Sequence, residues 1–550
     1  MTVLSDLLDA LAARRHDLRI WFELTTGIDA WLVARIAVAA GVFVLVVAVA
    51  VAFRSGHLAR LYISGKTAFG AGYVRGREVS ARLVKWIPPV HVVYLVVLAG
   101  VLIPAYFEVD YERSRLALII LVVAPLALIM ACSAIRLFAS PEVRVTTAII
   151  IWTVLPTIAA FDFYLEATTL SQETKIDRIM RERVNDPSTL TAVVPQGFLT
   201  ITDPPGTFSL PDDSGGRFLP LADVSNTRSV YCKETGDYLV YRSDEKGFHN
   251  PAGIWSQKVG IAFVGDSYIH GACVPSGSDL TSLVRKKIPQ TINLGRGGNG
   301  PLSELAILTE YAAVARPRLV VWFHVDNDLR DLRTEKLSSI LMSYLSSDGM
   351  RNLAGRTAEI DRIVRAYLET QLAEQAAVQQ KTRTVVLRSE LSWKGIFDSL
   401  TFRTVRQQLL YPRFGTHDQI LGSGDEDLQD LDWDLYARVL KEAKLRVEGW
   451  GGRFVVMIIP FQSGAGFLDP HSYPPARAYR DRLARIYDDL GIRYHDLNED
   501  FHLDRDPNSY LADLHRYYGH ENVAGYARLA DATLRFIERV CGPDLRLCPR

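Results

Sequence analysis

The apolar run Val259 to Val264 leads straight into Gly265-Asp266-Ser267-Tyr268. Ligands of open parallel sheets bind beyond the carboxyl ends of the strands. A serine on a tight turn at such an end can therefore present its hydroxyl as a nucleophile. Alone, the tripeptide is weak evidence, because glycine and aspartate also build turns of no catalytic purpose. Three further segments add to it. Asn293-Leu-Gly-Arg-Gly-Gly-Asn-Gly300 is a turn nearly stripped of side chains, whose backbone N–H groups could approach a developing oxyanion. His324-Val-Asp-Asn-Asp328 brings a carboxamide, and His520-Glu-Asn-Val-Ala-Gly525 places a histidine just before a helical pattern. A nucleophile, two kinds of hydrogen-bond donor and a base are what acyl transfer requires.

These four segments are far apart in the chain, so a scaffold must gather them at one edge. Short apolar runs at 259–264, 291–294, 319–323, 454–459 and 492–494 read as strands. Helical patterns at 280–288, 302–315, 478–490 and 523–540 lie between or after them. Strands alternating with helices predict a parallel sheet covered on both faces, a three-layer α/β/α domain. Residues 335–450 interrupt the alternation with long helical patterns, exemplified by Ile360, Ile363, Val364, Tyr367 and Leu368.

In this order the segments resemble the SGNH, or GDSL-type, serine hydrolase family. Phe263 to Gly271 is similar to its first block, with Ser267 as nucleophile, and Asn293 to Gly300 to its second, with Gly298 as an oxyanion donor. Asp326-Asn327-Asp328 resembles the third block, with Asn327 as the oxyanion-hole amide, and His520 the general base of the last. Gly247-Phe248-His249-Asn250-Pro251 is similar to membrane-anchored bacterial members. The likeness covers 240–335 and 450–540. It implies an ester hydrolase acting on an O-acylated glycan or another cell-envelope ester, without metal or cofactor. The oxyanion would be held by the Ser267 and Gly298 N–H groups and the Asn327 amide. An O-acyltransferase using the same acyl-serine, working with other envelope polysaccharide enzymes as partners, is the runner-up. A glycan-binding scaffold on a decayed site is the non-enzyme alternative.

One departure bears on the mechanism. The family carries an aspartate two or three residues before the histidine, where this chain has Tyr518 and Tyr517. Asp513 is the expected substitute, with Glu521, a backbone carbonyl or a plain Ser–His dyad as alternatives. The acid matters because it fixes the tautomer of the histidine and stabilises its charged form.

Other chemistries fit less well. Gly295-Arg-Gly-Gly-Asn-Gly300 satisfies G-x-G-x-x-G, but a dinucleotide site needs an acid about 20 residues on, and Asp326 comes later than that. Asp326, Asp328, His515 and His520 have no short metal-ligand spacing. His515 is a rival base that lacks the Asn and Gly following His520. Ser64-Gly65-Lys66-Thr67 looks like the end of a phosphate-binding loop, but Arg60 stands where its first glycine belongs.

The remaining sequence concerns location. Of 550 residues, 62 are Lys or Arg and 62 are Asp or Glu, so the net charge is zero and no basic excess favours nucleic acid. With 48% hydrophobic and 23% charged residues the chain is not of a disordered class. Apolar runs at 36–53, 87–107, 116–135 and 145–161 have the length of bilayer-spanning helices. Arg54, Arg60, Lys66, Arg75, Arg77, Arg82 and Lys85 crowd the loop after the first run, opposed only by Glu78. Positive loops mark the cytoplasmic side, which puts both termini across the membrane from it, although Lys175 and Arg178 weaken the bias. The expected organisation is an N-terminal segment (1–28), a four-span domain (29–165), a stalk and pre-domain segment (166–240) and a hydrolase-like domain (241–545). With the resemblance, this implies a multi-pass protein of a bacterial inner membrane, its large domain on the periplasmic side. Cys132 falls in a span. Cys232, Cys273, Cys541 and Cys548 allow three disulfide pairings, of which Cys232–Cys273 and Cys541–Cys548 are expected.

Overall fold

The computed structural model describes residues 173–542, apart from 235, 347–348, 391–430, 464–465, 468–473, 503, 505 and 514–517, together with the isolated positions 126, 127, 130 and 157. The four apolar runs otherwise lie outside the described residues, as do Cys132, His515, Tyr517 and Cys548. Among the described residues, no helix is long and apolar enough to cross a membrane. Every candidate site residue belongs to one compact unit, Glu173–Val378 with Thr416–Arg550.

That unit opens with helix α1 (Lys175–Arg183), held at its start by a capping box between Thr174 and Asp177. Strands β1 (Leu190–Thr191), β2 (Arg228–Val230) and β3 (Val240–Arg242) form a small sheet, with β2 and β3 antiparallel. The central sheet follows, made of β4 (Ile261–Val264), β5 (Thr291–Asn293), β6 (Leu319–His324), β7 (Arg453–Ile458) and β8 (Arg493–Asp496). Its spatial order is β8-β7-β6-β4-β5, with every pairing parallel. Helices α2 (Ser267–His270), α3 (Leu280–Arg285), α4 (Pro301–Ile307) and α5 (Asp328–Glu335) fill the first connections. Further on come α6 (Thr357–Glu390), α7 (Trp433–Gly449) and α8 (Pro474–Asp489). A hairpin of β9 (Leu511–Asp513) and β10 (Tyr518–Glu521) precedes the closing α9 (Val523–Cys541).

The inner strands β4, β6 and β7 are mainly apolar because both faces are covered. Ala262, Val264, Val320, Trp322, Val456 and Ile458 pack into one core with residues of α4, α7 and α8. Their sequence neighbours Ile261, Phe263, Val321, Phe323, Val455 and Met457 pack into a second core with α3 and α9. Alternate side chains thus serve opposite layers, as the period of a strand demands. Helix α9 buries Tyr526, Leu529, Thr533, Phe536, Ile537 and Val540, a helical stripe facing the sheet.

The three-layer α/β expectation therefore holds for this unit, and two boundaries differ from it. Leu190, Phe198, Leu219 and Leu221 share a core with the sheet, so residues before 241 are integral to the domain rather than a separate lead-in. Likewise α7 lies inside the stretch expected as an insertion, yet it buries Leu435, Tyr436, Val439, Leu440, Ala443 and Val447 in that same core. The helix expected at 302–315 is broken by a π-helical turn over Leu308–Ala312.

Candidate active site

The sheet order reverses on itself between β4 and β6, which is where a doubly wound fold opens a crevice beyond its strand ends. Ser267 follows β4, Gly298 lies in the loop after β5, and Asn327 follows β6. Since β5 and β6 are the two neighbours of β4, the expected oxyanion donors stand on either side of the nucleophile.

Ser267 opens the short α2, capped by Asp266, whose carboxylate accepts the Tyr268 N–H at 2.9 Å. His520 comes from β10, and its Nε2 lies 2.7 Å from Ser267 Oγ. Its Nδ1 lies 2.8 Å from Glu234 Oε1, while its backbone N–H donates to Glu234 Oε2 at 2.9 Å. Serine, imidazole and carboxylate thus form an unbroken chain. His520 and Glu234 side chains keep 19% and 29% exposure, so the site opens to solvent. Asn522 caps α9 by accepting from Ala524 N and Gly525 N, and a side chain at position 525 would collide with Tyr510 O. The two residues after His520 that mattered in the sequence thus fix the strand-to-helix turn that aims the imidazole.

The acid is not the expected one. Asp513 sits on β9 with its backbone paired to Tyr518, and the place at Nδ1 belongs to Glu234. Glu521 is fully buried, and neither of its carboxylate oxygens has a hydrogen-bond partner. Neighbouring strand residues point to opposite faces, so an acid next to His520 cannot share its contacts. Glu234 arrives from the loop between β2 and β3. The Cys232–Cys273 disulfide ties that loop to the segment just beyond α2, as expected for this pair. Cys541 is also disulfide-bonded.

Charge sets the resting state of the pair. Burial pushes the His520 pKa down, but Glu234, Asp266 and Glu521 outweigh it and raise it to about 9. Ser267 Oγ also lies 3.2 Å from Asp266 Oδ2. A serine hydroxyl has one hydrogen, so it donates either to Asp266 or to His520. With His520 protonated, Nε2–H donates to the serine and the serine donates to Asp266. Loss of that proton frees Nε2 to accept.

The glycine loop is organised around one amide. Gly295 N donates to Asn293 Oδ1, Arg296 N to Gly265 O, and Gly297 N to His270 Nδ1. Asn299 N donates to Arg296 O and Gly300 N to Glu335 Oε1. Among the described hydrogen bonds, only the Gly298 N–H in this run has no acceptor within the chain. Gly298 has φ +68, and a Cβ there would stand 2.9 Å from Gln196 Cβ and 3.0 Å from Val194 Cγ1. Asn327 donates one amide hydrogen to Asp331 Oδ2 at 2.7 Å, which fixes the carboxamide and leaves its second hydrogen. The Ser267 N–H stands near the Asp266 carboxylate and partly offsets the burial that raises that acid's pKa.

Behind the loop lies a fully buried polar cluster. Arg296 pairs with Asp223 and donates to Tyr241 Oη at 3.1 Å. Tyr241 donates to Asp223 Oδ2 at 2.5 Å and lies 2.6 Å from His270 Nε2. Burial, then Arg296, holds the His270 pKa well below its usual value. His270 is therefore neutral, with Nε2 protonated and Nδ1 free to accept from Gly297 N. This network pins Gly297, the residue next to Gly298.

For metals, the oxygen, sulfur and nitrogen ligand atoms of Glu234, Cys273 and His520 lie within 4.8 Å of one another, with the sulfur engaged in the disulfide. No protein-family model and no curated protein matches the chain.

Proposed function

We propose that this chain is a serine ester hydrolase of the SGNH type, anchored in a membrane and acting outside the cytoplasm on an O-acylated glycan or another envelope ester. The observation that carries the proposal is the continuous hydrogen-bonded line from Ser267 Oγ through His520 to Glu234. In the reaction, His520 Nε2 takes the Ser267 proton as Oγ adds to the ester carbonyl. The Gly298 N–H and the remaining Asn327 amide hydrogen receive the oxyanion. His520 then passes its proton to the departing alcohol, leaving an acyl-serine. Water, deprotonated by the same nitrogen, releases the acid and restores the serine. Glu234 holds His520 with Nδ1 protonated and offsets the imidazolium charge at each transfer.

A complete triad speaks for catalysis over a decayed binding scaffold. The glycan substrate, the periplasmic side and the anchoring come from the motif resemblance and the apolar N-terminal runs. The test uses full-length protein in detergent with an O-acetylated polysaccharide and follows acetate by proton NMR. Wild type should release acetate and Ser267→Ala should not. Acetate appearing instead on an added sugar acceptor would make the enzyme a transferase. No acetate loss, together with no cleavage of any simple ester, would contradict the proposal.

A further inference from the structure

The disulfide and the triad share an edge. Cys273 is buried and follows α2 in the left-handed region, at φ +62. Cys232, half-buried, lies two residues before Glu234. Their bond therefore anchors the acid's loop and also occupies the sulfur that stands within 4.8 Å of the Glu234 and His520 ligand atoms. Thiolate, carboxylate and imidazole are the ligand classes of tetrahedral zinc sites, bound at about 2.0–2.3 Å from the ion. Ligands at those radii sit roughly 3.3–3.8 Å apart. Closing from within 4.8 Å takes a small inward turn of the Glu234 and Cys273 side chains, and a free Cys273 thiolate, which the intact disulfide does not supply.

We propose that the Cys232–Cys273 disulfide gates a zinc-class metal site made of Glu234, Cys273 and His520, and that filling this site silences Ser267. A dithiol attacks the sulfur of Cys232, the less buried of the two cysteines, Cys273 leaves as thiolate, and the second dithiol sulfur then displaces Cys232. Two electrons pass to the protein disulfide, and the dithiol departs as a cyclic disulfide. The ion binds the Cys273 thiolate, the Glu234 carboxylate and the neutral His520 ring, with water in the fourth position, and the displaced protons go to solvent. Metal on Nδ1 leaves Nε2 carrying a hydrogen, so it donates to Ser267 but cannot accept from it. Metal on Nε2 displaces the serine outright. Both arrangements remove the base.

The metal site stands on these atoms alone, and only the silencing rests on the hydrolase reading. The test uses full-length wild type, Cys232→Ser, Cys273→Ser and Ser267→Ala. Each is assayed as purified and after dithiothreitol treatment and anaerobic desalting. Zn2+ is titrated against a chromophoric chelator, and Co2+ is added in parallel to look for sulfur-to-cobalt charge-transfer absorption. Oxidised wild type should bind no ion here. Reduced wild type, reduced Ser267→Ala and untreated Cys232→Ser should each bind one ion with the sulfur signature, and reduced Cys273→Ser none. Esterase activity of reduced wild type should fall at least tenfold with zinc and return with a chelator. Equal metal uptake by reduced wild type, Cys232→Ser and Cys273→Ser would overturn the site. An inert Ser267 with intact metal binding would overturn only the hydrolase reading.

Discussion

Glu234 holds His520 at two points, one carboxylate oxygen 2.8 Å from Nδ1 and the other accepting the backbone N–H at 2.9 Å. This double grip fixes both the ring and the strand that carries it. Replacing Glu234 with Ala should lower kcat for ester cleavage by about 10,000-fold, the usual cost of losing a triad acid. Asp513→Asn should change kcat little. Steady-state kinetics on a simple aryl ester checks both, and a large loss at Asp513 alone would return it to the triad.

The pH profile should carry the same signature. His520 acts as base only when unprotonated, and nearby carboxylates hold its pKa at about 9. Activity should therefore be low at neutral pH and rise through about 9. Each carboxylate favours the charged imidazolium, so Glu234→Gln and Asp266→Asn should both move the midpoint downward. The measurement is kcat/KM against pH with an uncharged ester. A wild-type midpoint near the ordinary histidine value, unmoved by both variants, would contradict this.

The proposed oxyanion donors should be separable. Asn327→Ala should reduce kcat about 100–1000-fold with KM little changed, the usual loss for one donor. Asp331→Asn should give a smaller loss, because Asp331 acts through Asn327, whose amide it holds at 2.7 Å. Comparison of kcat and KM for the two variants decides. An effect of Asp331→Asn on KM alone would remove its positioning role.

Stability should depend on the ion pair behind the glycine loop. Arg296 and Asp223 side chains are 0% and 2% exposed, so removing the acid strands a buried charge. Asp223→Ala should destabilise the domain by about 3–5 kcal/mol. Thermal and denaturant unfolding of the variant against wild type measures it. A shift below 1 kcal/mol would mean that solvent reaches Arg296.

The central strands were legible because two-sided burial writes them as short apolar runs; Ser267, Gly298 and Asn327 were legible because each follows one, and His520 because Asn522 and Gly525 follow it at the start of a helical pattern. Glu234 was not, since it lies on a small hairpin outside the alternating pattern and no spacing rule links it to His520. One signal pointed toward it. Pairing Cys232 with Cys273 places the loop after Cys232 beside Ser267, and the acid two residues on is then within reach of the imidazole. The role of α7 was hidden for a different reason. A helical period shows that a face is buried but not against what, so a layer helix inside 335–450 reads like part of an insertion.

The most direct measurement is covalent labelling with a fluorophosphonate, located by peptide mass spectrometry. The adduct should fall on Ser267 of wild type, be absent from Ser267→Ala, and form far more slowly in His520→Ala and Glu234→Ala. Failure of wild type to label, or labelling that persists at the wild-type rate without His520, would contradict a functional Ser267–His520–Glu234 triad.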